Sequence, residues 1–186
     1  MALKTRVVSF VWGFAEATFF FFVPDIWLTR IAVTDLKEAV INAFITLIGA
    51  LIGGTVLYIL ASISFDYIRQ ALDFVPAISK NMIDQAGEQM QNANPVKVII
   101  MAGFTGLPFK IYAAWSGHLA LSVPVFILIS AVARIGRFLF LIFVIYGTKS
   151  VLKSYMSTKN LLWLHTVLWI CFYCYYFFKM GLETKM

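Results

Sequence analysis

The sequence predicts an all-α integral membrane protein, and three observations carry that prediction. The composition is 61% hydrophobic and only 13% charged, with a mean hydropathy of +0.86, too apolar for a soluble domain of 186 residues. A charge-free run from Ala39 to Phe65, about 27 residues, is long enough to cross a bilayer with some tilt. A second apolar run, Leu119 to Gly147, is broken only by Arg134 and Arg137. Each charge at bilayer depth costs at least about 2.5–3.5 kcal/mol, so that helix needs carboxylates, phosphates or water beside it.

Five apolar blocks follow one another. Val7 to Val23 contains Glu16 and ends in Pro24 and Asp25, whereas Val98 to Leu107 meets Pro108 and then Lys110. Proline removes a backbone donor and disfavours helix at the residue before it. These two blocks are therefore expected to be re-entrant hairpins, with tips at Pro24 and at Gly106 and Pro108. The alternative is a full span that the proline merely ends. Leu161 to Phe178 is a last transmembrane helix, flanked by Lys159 and Lys179.

This order gives a single membrane domain. Residues 7–64 are the first hairpin and helix, 65–95 an amphipathic connector, 96–147 the second hairpin and helix, and 161–178 the final span. If each long helix crosses once, the second hairpin-plus-helix unit is inverted relative to the first. Such inverted repeats place a transport site at their interface. Lys4 and Arg6 before the first block, and Lys149, Lys153 and Lys159 after the fourth, put both regions on the cytoplasmic side. Asp66, Asp73, Asp84 and Glu88 put the connector outside. Within it, Phe65, Ile68, Leu72, Val75, Met82, Ala86 and Met90 recur at near-helical spacing, interrupted at Pro76. Such a connector lies on the membrane or on the helices.

The net charge of +6 is scattered between apolar blocks, which suits anionic lipid and does not indicate nucleic acid. No small-residue cleavage site follows the first apolar run, so no removable signal peptide is expected. Cys171 and Cys174 provide no disulfide framework. No His/Cys/Asp/Glu set has metal-ligand spacing, no glycine-rich phosphate loop is present, and no nucleophile–base pair stands out. Neither a metal, a cofactor nor an enzymatic activity is expected.

The charged residues define the candidate site. Arg134 and Arg137 share a helix face and offer planar, bidentate donors suited to phosphate, with Lys110 as a movable point charge. They are the substrate-binding candidates. Glu16 and Asp25 are the candidates for charge pairing and proton coupling, because burial and a neighbouring arginine act on a carboxylate in opposite senses. In an empty cleft the two carboxylates neutralise the cations; alternatively, a closed ion-pair network only fixes the hairpins. Gly49, Gly53 and Gly54 are read as a helix-packing surface. His118 is a lesser candidate for a proton relay, and His165 is expected at the membrane interface.

Two stretches carry a family resemblance. Glu16-Ala-Thr-Phe-Phe-Phe-Phe-Val-Pro24-Asp25 resembles the first-hairpin motif of the DedA/VTT (SNARE-associated Golgi protein) superfamily, especially its short YqaA-like branch. Gly103-Phe-Thr-Gly-Leu-Pro108-Phe-Lys110, followed by Gly117 and by Arg134-Ile-Gly-Arg137-Phe138, is similar to that branch's second hairpin and following helix. The resemblance spans most of residues 7–147. It departs from the wider family at the first tip, which has one proline where many members have two. Thr105 stands where longer members carry an arginine, and Lys110 lies near their other arginine. What the resemblance implies is movement of an anionic lipid, either a polyprenyl phosphate or a phospholipid, by a flippase or scramblase in the bacterial cytoplasmic (inner) membrane. It also implies proton dependence. Membrane lipids are then the partners, and homo-oligomerisation stays open. A non-transporting membrane-assembly protein is the competing reading, and an enzyme acting on lipid phosphates is a third.

Overall fold

The computed structural model describes residues 2–105 and 107–183. Among these residues the chain is all-helical, with α1 (Ala2–Thr18), α2 (Asp25–Thr34), α3 (Leu36–Ile63), α4 (Phe65–Asp73), α5 (Lys80–Asn92), α6 (Pro95–Thr105), α7 (Phe109–His118), α8 (Val123–Leu152) and α9 (Thr158–Glu183). Three segments are long and apolar enough to cross a membrane: Leu36–Ile63, Val123–Leu152 and Thr158–Phe178. They mark the chain as an integral membrane protein.

The helix ends follow from local chemistry. The Asp35 side chain accepts from the Glu38 N–H at 3.0 Å and starts α3, three residues before the charge-free run. Pro124 falls in the first turn of α8, where a missing N–H costs nothing, so that helix begins at Val123 and not at Leu119. The residues before it end α7: Ala120 adopts the left-handed conformation, φ 51°, and the Leu121 N–H returns to the Ser116 carbonyl at 2.9 Å. At its other end α8 continues five residues beyond Gly147. Lys149 there donates to the Thr34 carbonyl at 3.5 Å, a contact that apolarity alone does not reveal.

The first interrupted block is a helical hairpin. The Trp27 indole donates to Ser9 Oγ at 3.0 Å, Trp12 stacks on Trp27 at 6.3 Å, and the Trp12 indole donates to the Phe22 carbonyl at 2.8 Å. Arg6 near the start of α1 reaches Glu38, just past α2, at 3.4 Å. The chain therefore returns to the level at which it began. In the second block α6 and α7 join around Pro108; Gly106, expected at that tip, lies outside the described residues.

Helix α3 is the centre of the packing, touched by α1, α2, α7 and α8. Its glycines allow this. A Cβ on Gly49 would lie 2.2 Å from the Phe10 carbonyl oxygen, and one on Gly53 would lie 2.6 Å from that of Phe14. These small residues let α1 lie backbone to backbone on α3, as the sequence suggests. The packing is partly crossed: α1 and α7 lie on α3, α6 lies on α8, and α2 packs equally on both.

The connector rests on the helices. It forms two pieces, α4 and α5, and buries Ile68, Leu72, Ile83, Ala86 and Met90 against α7 and its neighbours. The Trp115 indole donates to the Ile83 carbonyl at 2.7 Å and its ring lies flush with Gly87. Arg69 joins the two pieces through both carboxylate oxygens of Asp84, at 2.6 and 2.7 Å.

Helix α9 is different. It packs chiefly on α2, and only 11% of its spanning window is buried.

Candidate functional site

Five charged residues from four helices line one cavity. Glu16 sits near the end of α1, Asp25 opens α2, Lys110 stands in the first turn of α7, and Arg134 and Arg137 lie midway along α8. The chain breaks at Pro24 and Pro108 put Asp25 and Lys110 at the starts of new helices, facing the middle of α8. Glu16, Asp25, Lys110 and Arg134 are buried, and Arg137 is partly open, with 28% of its side chain exposed.

The pairing is divided between the arginines. Arg134 donates to Glu16, and Arg137 donates to Asp25. Lys110 holds its ammonium 4.0 Å from the other Glu16 oxygen and donates to the Phe20 carbonyl at 3.2 Å, so it joins the second tip to the first. The Arg134 guanidinium also lies 4.5 Å from the centre of the Phe109 ring and 5.4 Å from that of Phe138. Both rings favour a cation held out of water. With all five groups ionised, three cations face two carboxylates and the cluster carries one net positive charge.

The cavity has a volume of about 590 Å³, within the range of small-molecule sites. Its walls are mainly apolar. They come from the inner faces of α8 and α9, from Ala133 to Leu152 and from Leu161 to Tyr176, with part of α6. At roughly 1.5 Å per residue these helix faces extend more than about 20 Å. Lys149 lies at the far end from the charge cluster. A space with a net-cationic cluster and long apolar walls fits an amphiphile with an anionic head.

Every charged residue singled out from the sequence, Arg134, Arg137, Lys110, Glu16 and Asp25, lines this one cavity, as do Pro24 and Pro108. His118 does not. It stacks on Phe65 at 4.1 Å, against the connector. Cys171 and Cys174 are exposed on α9. Among the described residues no cluster of three His, Cys, Asp or Glu is placed to hold a metal ion.

His165 is buried at 6% exposure on the cavity wall, because α9 turns it toward α2. Its Nε2 lies 2.8 Å from Thr29 Oγ1 and accepts from the Trp169 indole at 3.1 Å. Thr29, Trp169 and Tyr173 are cavity residues that sequence reasoning passed over. The Tyr173 hydroxyl accepts from the Val23 N–H at 3.0 Å beside the first tip. One signal was available: Asp25 and Thr29, and His165 and Trp169, are each four residues apart and so share a helix face.

Comparison with known proteins gives one distant relative to report. A Haemophilus influenzae protein, described as uncharacterized, is 29% identical over 140 residues, which cover 71% of this chain and 67% of the relative. No family model matches the chain, and no solved structure matches it.

Proposed function

We propose that this protein moves an anionic lipid across the membrane, with the headgroup held by Arg134, Arg137 and Lys110 and the chains along the α8–α9 wall. The single observation that carries the reading is the cationic excess, three cations against two carboxylates, lining an apolar-walled cavity. An incoming phosphate competes with Glu16 and Asp25 for the guanidinium groups. A displaced carboxylate in a buried place takes up a proton more readily than it stays charged alone. Proton coupling through Glu16 and Asp25 follows from that competition.

In this reading the chain is a member of the DedA/VTT superfamily, short YqaA-like branch. The two hairpins are re-entrant and belong to inverted repeats. The packing supports this in part: the arm after Pro24 lies on both α3 and α8, and the arm after Pro108 lies on α3. The bacterial cytoplasmic membrane is the proposed location, with a polyprenyl phosphate or a phospholipid as cargo. The chain works as a carrier or scramblase and not as an enzyme.

One observation favours a second reading. Both carboxylates are already paired with arginines, which suits a network that only fixes the hairpins in a membrane-assembly protein. Reconstitution separates the two. Proteoliposomes containing headgroup-labelled phosphatidylglycerol or a polyprenyl phosphate should show protein-dependent movement across the bilayer, faster than for labelled phosphatidylcholine. Equal, background rates for all three lipids leave the assembly reading.

A further inference from the structure

We infer that the cavity admits a lipid chain sideways from one leaflet, the leaflet beside the start of α1 and the end of α8, through a slot between α8 and α9. The inference goes beyond lipid movement and does not rest on it, since a chain can lie in the slot whether or not its headgroup ever crosses.

The slot comes from how α9 is seated. A short turn, residues 153–157, sends α9 back beside α8, and each helix gives the cavity a row of residues. The rows keep helical spacing: Leu141, Ile145 and Leu152 from α8, and Leu161, Leu168 and Phe172 from α9. Yet α9 packs on α2 and little on α8. Its bonds to other elements point the same way. Arg30 of α2 donates to Thr166 Oγ1 at 3.3 Å, and the Val23 N–H of the first tip donates to the Tyr173 hydroxyl at 3.0 Å.

Exposure marks the mouth. Phe140 of α8 and Leu168 of α9 both line the cavity, and each is 59% exposed, so the cavity is open between them. Both residues belong to helices long and apolar enough to cross a membrane, which turns the opening toward hydrocarbon and not toward water. Walls of Leu, Ile and Phe give water few hydrogen-bond partners. A hydrocarbon chain instead makes dispersion contacts along their whole length. The occupant that fits is a chain of a bilayer lipid.

The leaflet follows from where the lining runs. It occupies α8 from Ala133 to Leu152, whereas Phe126 and Ile129 in the first half of that helix are buried in the core with α3 and α7. The lined half ends level with the start of α1 and the end of α2, where Arg6 reaches Glu38 and Lys149 donates to the Thr34 carbonyl. At roughly 1.5 Å per residue, α8 rises about 18 Å from Arg137 to Lys149. That is a little more than half of a hydrocarbon core about 30 Å thick. A chain entering from this leaflet keeps its ester end toward Lys149 and its terminal methyl toward Arg137. This is the pose on entry, before any headgroup reaches the arginines.

Photoactivatable phosphatidylcholine tests the slot in the unmodified, full-length protein. Two forms, with a diazirine at the chain end or close to the ester, are mixed separately into phosphatidylcholine proteoliposomes, and adducts are mapped by mass spectrometry after illumination. The chain-end form should label Leu141 and Ile145, and the ester-proximal form should label Thr148 and Leu152, all cavity residues. Leu128 and Val132, exposed on α8 outside the cavity, report contact with the surrounding bilayer. Adducts on Leu128 and Val132 with none on Leu141 and Ile145 overturn the slot. The reverse gradient, chain-end adducts at Thr148 and ester-proximal adducts at Leu141, overturns entry from this leaflet. Phosphatidylcholine carries no net charge, so either result stands apart from whether the protein moves an anionic lipid.

Discussion

Glu16 and Arg134, 118 positions apart in the chain, form a buried ion pair that ties α1 to α8 in the cavity wall. Removing Arg134 leaves Glu16 with only Lys110, 4.0 Å away, as a counter-ion, and removing Glu16 leaves two buried cations without theirs, whereas removing both leaves only Lys110.

That asymmetry gives the first prediction. Arg134→Ala should lower stability by about 3–5 kcal/mol, and Glu16→Gln with Arg134→Gln together should lower it much less than the sum of the single changes. Unfolding in detergent measures both. Transport by the folded double variant decides between the two functions: an inactive one fits headgroup binding, and a fully active one leaves the assembly reading ahead.

Topology is the second. Arg6 meets Glu38, and Lys149 meets the Thr34 carbonyl, so the start of α1, the end of α2 and the end of α8 share one level. Single cysteines at Lys4 and Thr34 should react with an impermeant maleimide from the same side of the membrane. Labelling from opposite sides contradicts the re-entrant hairpin.

The third prediction concerns glycines that look alike in sequence. A Cβ on Gly117 falls 2.1 Å from the Tyr58 carbonyl oxygen, whereas a Cβ on Gly147 meets nothing within 4 Å. Gly117→Ala should destabilise by about 1–3 kcal/mol through forced separation of α7 from α3. Gly147→Ala should stabilise α8 by up to about 1 kcal/mol through helix propensity. Thermal melts in one detergent should rank the variants on opposite sides of wild type.

Trp115 supplies the fourth. Its ring fills the space over Gly87 and its indole satisfies the Ile83 carbonyl, so it seats the connector on α7. Trp115→Ala should cost about 3–5 kcal/mol of local stability. Trypsin should then cut after Arg69 and Lys80 faster, well before the spanning helices unfold. Unchanged cleavage rates at those two sites contradict this role.

The apolar blocks were legible because burial in lipid needs long runs of apolar residues, and such runs stand out in one dimension. The site candidates were legible for the opposite reason. Glu16, Asp25, Lys110, Arg134 and Arg137 are costly at that depth, and all five line the same cavity. His165 was not legible. A histidine near a helix start carries no sign of its partners in one dimension, and only the turn of α9 toward α2 brings it against Thr29. The start of α8 was misplaced because Leu119 to Ser122 are as apolar as a helix needs, while the left-handed Ala120 and Pro124 set the true boundary.

By itself the sequence determined the helical class, the three long apolar helices, the breaks at Pro24 and Pro108 and the five charges to be neutralised. These are consequences of hydrophobicity and local backbone sterics, which act residue by residue. The tertiary structure alone decided which arginine takes which carboxylate, that Lys110 bridges both tips, and that His165 of α9 meets Thr29 of α2. Those outcomes depend on helix rotation and on glycine-permitted close approach between segments far apart in the chain, and no local preference encodes them.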